Sequence, residues 1–224
     1  TGVTYIQVAD TRQALLDWAG FVLRKYGPEV IGVTGSSGKT TTKEAIAAVL
    51  SARYPTFKNP GSYSGRYGLP IALGQLTPAH RYAVLELALD SRDEVRDLAR
   101  LTRPTVGVVT TVNPAHIQTL GSLEAIEREK GSLIEALPQD GLALLNRDDP
   151  RVWRMRERTA ARVVSFGLDE RADYWAADVQ CMAQGLRFSL HLPPEEPDAH
   201  GVSAPHGVSA PHGVSAPRIA GPAM

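Results

Sequence analysis

The sequence predicts an α/β fold in which a mostly parallel sheet is flanked by helices, with a small antiparallel ribbon near the C-terminus. Three observations indicate it. Apolar runs alternate with segments of helical spacing along residues 10–166. These runs are apolar on both faces, as is typical of buried parallel strands. One of them, EVIGVT at 29–34, leads directly into a glycine-rich turn and a helical pattern.

The first elements are a helix, a strand and a second helix. Residues 10–26 place apolar side chains at helical spacing behind Asp10, a residue type that caps helix N-termini. Residues 29–34 form an apolar run with β-branched side chains, which predicts a strand. The helical pattern at 39–52 starts at the end of the glycine-rich turn.

Strands and helices then continue to alternate, which favours parallel strands joined by helical crossovers. The apolar runs predict strands at 82–87, 105–112, 141–146 and 162–166. The segments between and after them predict helices at 92–101, 122–136 and 149–158.

The pattern changes after about residue 170. Residues 185–192 alternate apolar and polar side chains, the period of a half-exposed strand, and we expect this strand to pair with 174–182 as an antiparallel ribbon. Residues 200–217 repeat HGVSAP three times. A repeat this rich in Gly, Ser and Pro lacks the apolar side chains for a core, so we predict a flexible insertion at 193–217.

Composition narrows the classes of partner. Lys plus Arg and Asp plus Glu both number 24, so the net charge is zero. We therefore expect no nucleic-acid and no membrane partner, because both usually require a basic excess. Cys181 is the single cysteine and no apolar run approaches membrane-spanning length, so we expect a cytoplasmic protein; its oligomeric state is not indicated.

The glycine-rich turn has the features of a phosphate-binding loop. Its glycines let backbone N–H groups point at phosphate oxygens, Lys39 can reach the terminal phosphates, and the Thr40 hydroxyl can ligate Mg²⁺. Against the pattern GxxxxGK[ST], Val33 occupies the first glycine position. The predicted nucleotide-binding residues are Gly35, Ser36, Ser37, Gly38, Lys39, Thr40 and Thr41.

Three further residues are candidates for the catalytic and metal site. Glu86 lies inside an apolar strand, where an unpaired carboxylate is costly, so a bound Mg²⁺ or an arginine is expected beside it. His116 follows the strand at 105–112 and so falls at the carboxyl edge of the sheet, although a lone loop histidine is usually a surface residue. Lys130 follows Glu127 and Glu129 on a helix, which favours a solvated surface lysine, although its spacing of four residues from Ile126 is also compatible with an inward position.

The ordered motifs together resemble the Mur ligase family. They are TGSSGKTT at 34–41, LEL at 85–87, NPAH at 113–116, GSLEAIEREKGSLIEALP at 121–138 and LLNRDDPRV at 144–152. The resemblance covers roughly residues 4–192 and implies a central ATPase domain from a three-domain ligase. It implies that 1–27 form a connecting helix from an N-terminal substrate domain, that 28–192 form the ATP-binding domain, and that 218–224 are a truncated continuation of that domain.

The resemblance also implies ATP-dependent amide formation in peptidoglycan precursor synthesis. In such a reaction a carboxylate attacks the γ-phosphate, and an amine then displaces phosphate from the acyl phosphate. By resemblance Lys39, Glu86, His116 and Lys130 are catalytic, Thr40 and Glu86 hold one Mg²⁺, and Glu86, His116 and a carbamoylated Lys130 serve a second. The expected substrates are ATP, a UDP-linked peptide precursor and a dipeptide amine.

Two alternatives remain open from the residues. The family's asparagine-rich segment here reads NPGSYSGRYGLP at 59–70, which favours a divergent ligase with other substrates or a nucleotide-binding module without ligase activity. A P-loop kinase or GTPase would need a guanine-reading motif or phosphoacceptor site, neither of which we find. We also expect this chain alone not to support full turnover.

Overall fold

A computed structural model describes residues 2, 4–61, 63–89, 91–115, 117–182 and 185–193. Within this part of the chain, seven α-helices and eight strands are found. The helices are α1 Thr11–Tyr26, α2 Lys39–Ser51, α3 Gly68–Leu73, α4 Glu94–Thr102, α5 Ile117–Leu120, α6 Leu123–Glu135 and α7 Pro150–Arg154. The strands are β1 Glu29–Thr34, β2 Thr56–Lys58, β3 Tyr82–Glu86, β4 Val106–Val109, β5 Leu142–Asn146, β6 Arg162–Gly167, β7 Tyr174–Met182 and β8 Gly185–His191.

The strands form one sheet in the order β2-β3-β1-β4-β5-β6-β7-β8. Every neighbouring pair is parallel except β7 and β8, which pair antiparallel. The predicted fold class is therefore confirmed. Because β1 is central and β3 and β4 flank it, the loops that follow these three strands meet at one edge of the sheet, where ligands of open α/β sheets bind.

Helices cover both faces of the sheet. The larger core includes Leu85, Leu98 and Leu133 and packs α1, α3, α4 and α6 against one face. The smaller core includes Val33 and Ala47 and packs α2 against the other face. None of the described helices is long and apolar enough to cross a membrane.

Helix termini agree with the sequence signals. Asp10 Oδ1 accepts hydrogen bonds from the N–H groups of Arg12 at 2.8 Å and Gln13 at 3.0 Å, as predicted for the N-cap of α1. The helix ends at Gly27, which is left-handed with φ 59°. Such a residue is favourable at this position because glycine has no Cβ to clash with the carbonyl.

Several predicted boundaries were wrong. The strand expected at 105–112 ends at Val109; beyond it Thr110 N still donates to Thr34 O of β1 at 3.0 Å, while the hydroxyls of Thr110 and Thr111 bond Ser37 of the glycine-rich loop. The helix expected at 149–158 changes after Arg154 to a 3₁₀ turn, Met155–Arg158. The short elements β2, α3 and α5 were not predicted, since three to six residues carry little periodic signal. The segments 194–217 and 218–224 lie outside the described residues.

Asp149 joins a helix to the loop after β4. Its Oδ1 accepts from the N–H groups of Arg151 at 2.9 Å and Val152 at 3.3 Å, which caps α7, and its Oδ2 accepts from Val112 N at 2.7 Å. We expect Asp149→Ala to lower the free energy of unfolding by about 2–4 kcal/mol, because the cap is lost and Val112 N–H loses its partner. Urea unfolding of the 224-residue chain measures this change.

Asp10→Ala is the matched control, because Asp10 is an exposed N-cap whose side-chain bonds among the described residues are to its own helix. It should cost about 0.5–2 kcal/mol. Equal losses for both variants would contradict a bracing role of Asp149 for the loop after β4.

Candidate active site

The glycine-rich loop lies between β1 and α2. Strand β1 ends at Thr34, and α2 begins at Lys39 after Gly38, whose φ of 82° is left-handed. The N-terminus of α2 has no side-chain cap, so its backbone N–H groups remain available to a ligand. This is the geometry of an anion site at a helix N-terminus, as predicted for the loop.

Residues after β4 brace this loop from behind. Thr110 Oγ1 donates to Ser37 O at 2.6 Å, and Thr111 Oγ1 accepts from Ser37 N at 3.1 Å. Ser36 N donates to Thr111 O at 2.7 Å. Gly35 approaches Thr110 so closely that a Cβ there would lie 1.8 Å from Thr110 Oγ1. The loop is therefore held in shape before any ligand binds.

The sequence reasoning did not identify Thr110 or Thr111 as part of the site. The available signal was their position, two polar side chains directly after an apolar strand at the edge where ligands bind. Lys43 and Asn59, both fully buried beside Glu86, were also missed.

Lys39 and Thr40 occupy the first turn of α2. Lys39 Nζ is part-buried and donates to Ser36 O at 3.3 Å, folding back over the loop that precedes it. Thr40 Oγ1 donates to Glu86 Oε2 at 2.8 Å. Thr41 follows on the exposed side of the same turn. The structure thus brings the predicted lysine, hydroxyl and carboxylate to one end of α2.

Glu86 is buried at the end of β3, in register with Val33 of β1. The arginine partner considered from the sequence is not found among the described residues. Its nearest cation there is Lys43, whose Nζ lies 3.9 Å from Glu86 Oε2. The buried Glu86 carboxylate therefore accepts a hydrogen bond from Thr40 and lies near the ammonium of the buried Lys43.

Lys130 is fully buried on α6, so the surface position predicted from its local pattern was wrong. Within the described residues, its Nζ has no hydrogen-bond partner. Burial, and next the positive charge of Lys39, lower the pKa of Lys130 to about 7. Its neighbour Glu129 accepts from Asp93 N at 3.0 Å and Val95 N at 3.1 Å, which ties α6 to the start of α4.

His116 lies outside the described residues, so its predicted place in the site stays a prediction. Among the residues that are described, no group of three or more His, Cys, Asp or Glu side chains is arranged to hold a metal ion. A Mg²⁺ site does not require such a group, because this ion is usually held by one or two protein ligands together with water and substrate phosphates.

A sequence profile of the Mur ligase middle domain matches residues 33–203 of this chain. The chain belongs to the Mur ligase family. The match spans the glycine-rich loop, Glu86 and Lys130, so the family resemblance drawn from the motifs is confirmed.

Relatives and solved structures agree with this assignment. The UDP-N-acetylmuramoyl-tripeptide–D-alanyl-D-alanine ligase of Mycobacterium tuberculosis H37Rv is 40% identical over 166 residues, which are 74% of this chain and 32% of the relative. The crystal structure of MurF from Acinetobacter baumannii matches with a TM-score of 0.79 and 31% identity, over 84% of this chain and 42% of that one.

A third Mur ligase was solved with a nucleotide. The MurF ligase of Thermotoga maritima in complex with ADP matches with a TM-score of 0.77 and 28% identity, over 86% of this chain and 45% of that one. This chain therefore spans about a third to under half of the length of these relatives.

Proposed function

We propose that this chain is the ATP-binding part of a ligase that joins a UDP-N-acetylmuramoyl tripeptide to D-alanyl-D-alanine in peptidoglycan precursor synthesis. The relatives that carry this activity in their names support the substrates. The observation that carries the proposal is the buried amine of Lys130, which has no hydrogen-bond partner among the described residues and whose pKa is lowered by burial and next by the charge of Lys39 beside the phosphate-binding loop. Phosphate binding by a glycine-rich loop alone does not require a second, buried lysine on a neighbouring helix.

The loop would bind the phosphates of ATP. Backbone N–H groups at the start of α2 and the Lys39 ammonium offer donors to the β- and γ-phosphates. The transferred phosphoryl group carries spread negative charge, so a positioned cation such as Lys39 stabilises it as the substrate carboxylate attacks. The amine then attacks the acyl carbon, loses a proton and displaces phosphate to form the amide.

Mg²⁺ fits the oxygen donors of this site. Thr40 Oγ1 and Glu86 Oε2 already lie 2.8 Å apart at the phosphate-binding end of α2. Both are hard oxygen ligands of the kind that Mg²⁺ prefers. When bound there with ATP, the ion would neutralise charge that develops on the phosphates.

We propose that Lys130 is carbamoylated in the active protein. A buried ammonium near Lys39 is unfavourable, because it has lost its hydration and meets a like charge. Once the ammonium has lost a proton, the neutral amine forms a C–N bond to CO₂ and releases a second proton to solvent, which replaces the cation with an anionic carbamate. Lys130 and His116 would then complete a second metal site with Glu86.

The carbamoylation of Lys130 is expected to appear as a carbamate carbon signal in NMR spectra recorded with isotopically labelled bicarbonate. Lys130→Met should remove the signal and lower ATP-dependent turnover by at least about 10–100-fold, because loss of a metal ligand costs at least as much as loss of a residue that only orients one. Lys25→Met, at a surface lysine of α1, is the matched control and should retain both. A signal that survives Lys130→Met would contradict this assignment.

The domain organisation follows as part of the proposal. Residues 1–27 would connect to an N-terminal substrate domain, 28–192 would form the ATP-binding domain, 193–217 would be a flexible insertion, and 218–224 would be a truncated continuation of the ATP-binding domain. The use of ATP and the exposed free thiol of Cys181 favour a cytoplasmic setting.

Phosphate release by the complete protein that carries this chain tests the function. We expect release to require ATP, the UDP-linked tripeptide and D-alanyl-D-alanine together. Release that needs ATP alone would favour a nucleotide-binding module of another kind, and release with a different carboxylate or amine would identify a divergent ligase. The isolated 224-residue chain should show little turnover.

A further inference from the structure

Lys43 is a fully buried lysine in the second turn of α2. Burial of a charged ammonium costs several kcal/mol unless charges and hydrogen bonds compensate it. Neither the phosphate-binding loop nor the proposed metal ligands include this residue. The burial of this charged residue therefore needs an explanation, which its contacts supply.

Lys43 Nζ is held by the segment that follows β2. It donates to Asn59 O at 2.8 Å and to Gly61 O at 3.2 Å. An ammonium has three donors, so one remains for the carboxylates of Glu44 at 3.4 Å and Glu86 at 3.9 Å. The lysine thus links this backbone segment to the carboxylate at the end of β3.

Asn59 completes the link from the other side. Its Oδ1 accepts from Glu86 N at 2.8 Å, and its Nδ2 donates to Tyr63 O at 2.8 Å. Asn59 is itself fully buried, so these bonds fix the backbone of Glu86. The side chain and the backbone of Glu86 are therefore held by two residues that are themselves bonded together.

The same carboxylate oxygen serves both neighbours. Glu86 Oε2 accepts from Thr40 Oγ1 at 2.8 Å and lies 3.9 Å from Lys43 Nζ. At that distance Lys43 attracts the oxygen without hydrogen-bonding to it. The oxygen keeps its lone pairs for the threonine and for an ion.

We propose that Lys43 is a positioning residue that orients Glu86 for Mg²⁺, an inference that rests on the proposed function. It acts through the Asn59 backbone and through attraction of Oε2. Residues that orient metal ligands from behind typically change metal affinity 10–100-fold when they are replaced.

The direction in which Mg²⁺ affinity changes when Lys43 is replaced distinguishes positioning of Glu86 from simple neutralisation of its charge. If Lys43 only neutralised Glu86, it would compete with Mg²⁺, and removal of its charge would tighten metal binding by Coulomb's law. If Lys43 positions Glu86, its removal weakens metal binding although a competing cation is gone.

The test uses Lys43→Met in the complete protein and measures ADP binding by calorimetry, in EDTA and over a series of Mg²⁺ concentrations. The Mg²⁺ midpoint is the Mg²⁺ concentration at which half of the change in ADP affinity is reached. We expect this midpoint to rise about 10–100-fold in Lys43→Met, with ADP affinity in EDTA nearly unchanged. Lys43→Arg, which keeps the charge, should recover part of the shift. Lys58→Met, an exposed lysine that pairs with the same Glu44, should leave the midpoint in place.

A midpoint that is unchanged or lower in Lys43→Met would overturn the inference. Asn59→Ser provides a second test if near-UV circular dichroism shows that Lys43→Met does not fold. It removes the amide that holds Glu86 N and should raise the midpoint as well, and an unchanged midpoint would overturn the inference. If ADP binding to the wild type did not depend on Mg²⁺, both the proposed metal role and this inference would be refuted. If it depended on Mg²⁺ but these variants did not alter that dependence, only the inference would be refuted.

Discussion

Lys39→Met is expected to lower ATP-dependent turnover of the complete protein by at least about 10²–10³-fold, the effect of removing one group that stabilises developing charge. Methionine keeps the length and shape of the lysine stem but has no charge. Lys39 Nζ lies over the loop at Ser36 O, so its cation is placed for the phosphates. Phosphate release with both proposed substrates measures the loss.

The same substitution should not destabilise the fold. Lys39 is the first residue of α2, and a cation at a helix N-terminus is unfavourable to the helix dipole. We therefore expect the free energy of unfolding in urea to stay equal or to rise by about 0.3–1 kcal/mol.

Opposite changes in activity and stability would identify Lys39 as a functional residue. Lys58→Met is the control, because Lys58 is an exposed lysine at the end of β2 that pairs with Glu44. It should retain full turnover. Turnover of Lys39→Met within about fivefold of the wild type would contradict the role of Lys39 in phosphate binding.

Strands β1, β3 and β4 were predictable because they are buried on both faces and carry an uninterrupted apolar signal. Strand β4 shows the limit of that signal. The threonines at 110 and 111 have high strand propensity, yet the strand ends before them, where their hydroxyls bond Ser37 of the glycine-rich loop. A contact between residues over 70 positions apart has no trace in local periodicity.

Some residues of the candidate site could likewise be predicted from the sequence and others could not. Glu86 was predictable from chemistry, since a carboxylate in an apolar strand needs a cation. Lys130 was not, because Glu127 and Glu129 suggest a surface while α6 in fact packs against α4 and the sheet. Only the resemblance to a family assigned Lys130 a role, and only coordinates place Lys43 beneath Glu86.

Gly35→Ala is expected to lower the free energy of unfolding by about 2–5 kcal/mol, as the sum of backbone strain and overpacking. Gly35 has φ 152°, and a Cβ would lie 1.8 Å from Thr110 Oγ1 and 3.1 Å from Thr111 N. Relief of the clash requires Thr110 to move, which breaks its bond to Ser37 O. ADP affinity should therefore also fall at least about tenfold, equivalent to 1.4 kcal/mol.

Gly121→Ala separates strain from steric overlap. Gly121 is left-handed with φ 86°, but, its chain neighbours aside, no atom of the described residues lies within 4 Å of a Cβ there. This variant should show only the backbone cost, about 1–2 kcal/mol, and should bind ADP normally. A loss of ADP affinity as large as that of Gly35→Ala would mean that the contact with Thr110 is not the cause.

Thr110→Ala combined with Gly35→Ala isolates that contact. Thr110→Ala alone removes the bond to Ser37 O and should destabilise the loop. In the double variant the new methyl group no longer meets a hydroxyl. The double variant should therefore lose less free energy of unfolding than the two single variants added together, by about 0.5–3 kcal/mol. Strict additivity would show that the loop tolerates the methyl group without moving Thr110. A coupling of this sign would show that the phosphate-binding loop keeps its shape through contact with the strand beside it, and that glycine is required at 35 because Thr110 occupies the space.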